Sequence, residues 1–75
     1  MKTMTDNFTY NRTWKQIEDM LDSAEKLQNW HFTQMGLTNN KKKRIHHMRN
    51  YKALEGAVKM ARWVLGDKNI EHPLE

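Results

Sequence analysis

The chain has 75 residues, a net charge of +4 and no cysteine. That length allows one domain at most, and the missing cysteine excludes disulfides and thiolate metal sites. No stretch approaches the roughly 20 apolar residues needed to cross a bilayer.

Residues 1–12 are polar and carry no periodic pattern. They carry Lys2 but no apolar segment of the kind a secretory signal needs. They read as a flexible arm, with Phe8 and Tyr10 as anchors for a partner. A helix then begins. Thr13 stands three residues before Gln16, the spacing of a capping box. Trp14, Ile17, Leu21 and Ala24 follow at three- and four-residue steps, with Met20 and Leu27 beside them. This is the pattern of an amphipathic helix. Gln28 and His31 continue the stripe in polar form, Met35 closes it, and Gly36 suits a left-handed cap. The first helix is expected over about 14–35, with Trp14 in the core.

Thr38, Asn39 and Asn40 lie in a short connection and each can cap a new helix. The next stripe is clearer: His47, Tyr51, Leu54, Val58, Ala61 and Leu65, in steps of four and three. Met48, Ala57 and Val64 widen it toward a core-facing width. Gly66 is placed for a C-terminal cap, and Pro73 blocks a long continuation. The second helix is expected over about 41–65. The expected organisation is therefore an arm at 1–12, a helical domain at 13–66 and a tail at 67–75.

A short link between two long helices implies an antiparallel hairpin. Trp14 and Ile17 should then lie near Ala61 and Leu65, and Leu21 and Ala24 near Leu54 and Val58. Gln28 and His31 should face Tyr51 and His47 at the loop end. The first helix carries four acids against two lysines, and the second eight Lys or Arg against Glu55 alone. Attraction between the helices should follow, although an exposed pair contributes only about 0–1 kcal/mol. A lone hairpin leaves Trp30, Phe32, Ile45, Met60 and Trp63 off the seam. Exposed clusters of large apolar groups mark interfaces. The expected assembly is an all-α helical bundle built from a homo-oligomer. A chain this short rarely gains more than ~3–5 kcal/mol from its own core, which also favours self-association.

Three features bear on function. Lys41, Lys42, Lys43 and Arg44 open the second helix, where positive charge opposes the helix dipole. With Arg49 and Lys52 they form a candidate contact for phosphates or for an acidic protein surface. His31 and His47 are candidates for a facing pair, but a zinc site needs three or four ligands, so no metal is expected. Trp30, Phe32, Met60 and Trp63 are candidate interface residues, since Trp is enriched at binding hot spots and Met adapts to irregular surfaces. The sequence has no cysteine nucleophile, no Gly-rich phosphate loop and no H-E-x-x-H, so no catalysis and no cofactor are expected. Absence of cysteine fits a reducing compartment, and a cytoplasmic location is expected.

The segment "LEGAVKMA", with Leu54, Glu55, Ala57, Val58 and Ala61, is similar to the last helix of phage sponge proteins that sequester cyclic nucleotides. The whole chain resembles small accessory proteins encoded by bacteriophages: short, cysteine-free, two-helical, and rich in Asn, Lys and Trp. The first resemblance implies an oligomer holding a small anionic nucleotide between subunits. The second implies a non-catalytic protein that inhibits or redirects a host enzyme or regulator in the host cytoplasm. Neither resemblance identifies ligand residues. The expected partners are a second copy and a target protein, with nucleic acid or a nucleotide as the alternative, and no membrane.

Overall fold

The computed structural model describes residues 11–74. Within them the chain is helical, with no strand. Phe8 and Tyr10, the anchors expected in the arm, lie outside the described residues.

α1 runs Trp14–Leu37. Its start is set by reciprocal caps. The Thr13 hydroxyl accepts from the Gln16 N–H at 3.1 Å, and Gln16 Oε1 accepts from the Thr13 N–H at 2.9 Å. Two otherwise orphaned donors are thereby satisfied. The far end differs from expectation. α1 passes through Gly36 and closes on Thr38, whose N–H donates to the Gln34 carbonyl at 3.1 Å. Gly36 is a helical residue, not a left-handed cap. Thr38 instead adopts extended backbone, and its hydroxyl accepts from the Asn40 N–H at 3.2 Å. Side chains build this turn, so no residue of positive φ is required at Gly36.

α2 runs Lys41–Val64. Asn40 caps it, with Oδ1 accepting from the Lys43 N–H at 3.1 Å. Its end follows the expected glycine logic. Gly66 has φ +87°. The Gly66 N–H donates to Trp63 O at 3.0 Å and the Asp67 N–H to Arg62 O at 2.9 Å. This is a Schellman cap, whose left-handed residue carries a penalty for any side chain with a Cβ.

The two helices pack side by side as a hairpin. Glu25 meets Arg62, His31 meets His47, and Phe32 meets Tyr51. The seam from α2 is the one its spacing predicts: His47, Tyr51, Leu54, Val58, Ala61 and Leu65 are all partly or fully buried. From α1, Ile17, Leu21, Ala24, Gln28, His31 and Met35 meet it. Ile45, expected off the seam, is also partly buried.

The seam is narrow. Val58 is the buried apolar residue, His31 the buried polar one, and no described side chain is fully buried. Trp14, expected in the core, is 65% exposed. It is the first residue of α1. Met20 and Leu27, and the widening residues Met48, Ala57 and Val64, are likewise exposed. Each helix has one neighbour, so only one stripe of each is covered.

Charge is used differently from expectation. Across the seam, the Arg62 guanidinium pairs with Glu25 at 3.1 Å. Lys15–Asp19, Lys26–Asp22 and Lys52–Glu55 are pairs along single helices. One-turn spacing makes such pairs geometrically easy. All of these helix pairs are exposed enough for solvent to screen them.

Candidate functional site

The basic start of α2 is organised by its cap. Arg44 folds back and its guanidinium donates to the Thr38 carbonyl at 3.0 Å, closing the turn. Lys52 lies 3.7 Å from Glu55 and is partly neutralised. Lys41, Lys42, Lys43 and Arg49 are exposed and form no ion pair among the described residues. Successive helical residues differ by about 100°, so Lys41, Lys42 and Lys43 fan around the helix and do not converge. Lys42, Arg49 and Lys52, separated by seven and three residues, share one face. They form a cationic stripe spanning about 15 Å at the helical rise. The six basic residues read from sequence thus divide into a stripe of three, Lys41 at its edge about 20° in phase from Lys52, a turn-closing arginine, and Lys43 on another face.

The histidines form the polar end of the seam. His31 Nδ1 and His47 Nδ1 lie 2.9 Å apart, so one ring donates its proton and the other accepts. Trp30 presents ring-edge contacts to both, with centroids 4.9 Å from His31 and 5.4 Å from His47. His46 stands beside them, at 5.3 Å from His47 and 6.4 Å from His31. The Asn50 amide donates to the His46 carbonyl at 2.9 Å. Desolvation holds the His47 imidazole below its ordinary pKa, and the neighbouring His31, His46 and Lys43 push it the same way. Among the described residues, no group of three or more His, Asp or Glu converges on a metal position.

The four interface candidates are all exposed. Trp30, Phe32, Met60 and Trp63 keep between 39% and 61% of their surface in solvent. They do not form one patch. Trp30 borders the histidines, and Phe32 packs against Tyr51 at 5.8 Å between ring centroids. Met60 and Trp63, three residues apart, are neighbours on the outer side of α2.

Two features escaped the sequence reading. One is a shallow apolar groove of about 250 Å³ between the helices, with Met20, Leu27 and Leu54 at its walls. Its signal was available in the small residues Ala24, Ala57 and Ala61 on adjoining faces. The other is the tail. Asp67 Oδ1 accepts from the Asn69 N–H at 2.9 Å, and the Asp67 carbonyl from the Ile70 N–H at 3.2 Å. Arg62 reaches Asp67 at 3.6 Å, so the chain after α2 turns beside the helix. An aspartate just past a helix-ending glycine is the turn signal that marks it.

No protein-family model matches the chain, and no curated protein or solved structure is significantly similar to it. Among the described residues, no helix is long and apolar enough to cross a membrane.

Proposed function

We propose that the chain is a small non-catalytic interaction protein. It assembles with itself as an antiparallel helical bundle and binds a target protein through exposed aromatic and methionine side chains, modulating or inhibiting that target. One observation carries this reading: Trp30, Phe32, Met60 and Trp63 stay exposed although the pairing of α1 with α2 is complete. Large apolar side chains left in water are the residues that a partner stabilises by covering. The resemblance to phage accessory proteins suggests a host enzyme or regulator as the target, met in the host cytoplasm.

The test is capture from host extract by the tagged wild-type chain, beside Met60→Ala and Trp63→Ala. A specific partner should be retained by the wild type and lost from both variants. Retention of no partner overturns the reading, as does equal retention by all three chains.

A second reading has an observation of its own. The stripe of Lys42, Arg49 and Lys52 presents cations at one-turn and two-turn spacing, which suits a phosphate backbone or a nucleotide. Binding of random DNA, RNA and a cyclic dinucleotide at two salt concentrations tests it. No binding at low salt removes this alternative.

A further inference from the structure

We infer that the apolar groove between the helices is the face through which a second copy of this chain docks, pairing two hairpins into a four-helix bundle. This rests on the self-association in the proposed function and assigns it a face.

The groove carries both halves of an interface. Met20 and Leu27 project as exposed knobs, and Leu54 with the small residues Ser23, Ala24, Ala57 and Ala61 lines the groove beside them. An isologous contact brings the same patch together from both subunits, so that patch must be complementary to itself. Knobs and groove on one face meet that condition. A large-residue target helix would need a deeper cleft.

Charge selects the same face. Each copy carries a net charge of +4, so two copies repel at long range. They can meet closely only where no like charge is buried. None of the groove-lining residues is charged. Other surfaces of the hairpin hold the Glu25–Arg62 pair and the cationic stripe. Burying those would desolvate ions without a matching partner from an identical copy.

Exposure agrees. Met20 and Leu27 at the groove walls are 69% and 47% exposed, apolar surface of the kind a second copy stabilises by covering.

The experiment is light scattering coupled to size exclusion on the full chain, with far-UV circular dichroism on every sample. Four chains are compared: wild type, Ala57→Glu, Leu27→Lys and Gly56→Glu. Ala57 and Leu27 are exposed in the single hairpin, so both variants keep their helices. Gly56 lies one residue around α2, away from the groove, where an added Cβ meets nothing within 4 Å. The wild type and Gly56→Glu should elute at twice 9.1 kDa. Ala57→Glu and Leu27→Lys should elute as helical monomers. A helical wild-type monomer overturns the inference, and so does a dimer that survives both groove substitutions. A wild-type monomer whose target capture fails in Ala57→Glu would assign the groove to the target instead, which also overturns it. A dimer that survives both groove substitutions removes this face and leaves self-association standing, whereas a wild-type monomer removes both. Target binding is scored separately, by capture that depends on Trp63.

Discussion

Replacing Val58 with alanine tests the narrowness of the seam. Val58 is 9% exposed and is the buried apolar residue of the described chain. Losing two methyl groups forfeits about 1.6 kcal/mol of transfer free energy. A residual cavity of about 25–50 Å³ after partial collapse adds roughly 0.6–1.2 kcal/mol. Alanine's better helix propensity returns about 0.5 kcal/mol. The net loss is about 2 kcal/mol, near half of the ~3–5 kcal/mol available to a chain of this size. The thermal midpoint should fall by about 8–16 °C. The assay is urea and thermal unfolding followed by far-UV circular dichroism, at one protein concentration because self-association adds concentration-dependent stability. Trp14→Ala is the control. It removes far more apolar surface, but that surface is already in solvent, so it should cost less than about 0.5 kcal/mol. A Val58→Ala chain within 0.5 kcal/mol of wild type would refute the reasoning, as would a Trp14→Ala chain that loses as much as Val58→Ala.

Other expectations follow from single sites. Gly66→Ala should destabilise by about 1–2 kcal/mol because the residue is left-handed, whereas Gly56→Ala, mid-helix with free space around the new Cβ, should stabilise by up to about 1 kcal/mol; equal signs in a melting experiment would contradict the backbone assignment. His47 has a depressed pKa in the folded chain, so the unfolded chain takes up its proton first. Stability should hold above the unfolded value near 6.5 and fall as pH drops below it toward the folded value. A urea midpoint unchanged from pH 8 to pH 5 would show that the imidazole pair is uncoupled from folding, and His47→Asn should flatten the profile. If the basic stripe binds DNA through three phosphates, affinity should drop about 40-fold from 50 to 200 mM salt. A salt-independent affinity would exclude that mode.

Much of the hairpin was legible because its period is simple. The steps from His47 to Leu65 predict the α2 seam residue by residue, and Thr13 with Gln16 marks the first helix start without tertiary information. His31 facing His47 follows from the short link and the two stripes together. Gly36 misled because glycine is the commonest helix stop, yet Thr38 and Asn40 supply a turn from side-chain oxygens two residues later. Trp14 misled because hydrophobicity says nothing about whether a neighbour covers a first-turn residue. The charge pattern also over-promised: net attraction between helices is a long-range sum, but the acids of α1 find lysines one turn away before they find α2. The basic run was legible in composition and not in geometry, since only helical phase separates Lys42 from Lys41 and Lys43.

The connection between the helices has a topological consequence. Residues 38–40 include neither proline nor glycine, and the reversal is held by the Thr38 hydroxyl, the Asn40 amide and the Arg44 guanidinium. Nothing in that backbone forbids a helix. Without the three side-chain anchors, the reversal would rest on the α1–α2 packing alone. The α1 stripe is indifferent to whether its covering α2 comes from its own chain or a neighbour's. Three polar side chains thus set the reversal that lets α2 fold back onto the α1 of its own chain.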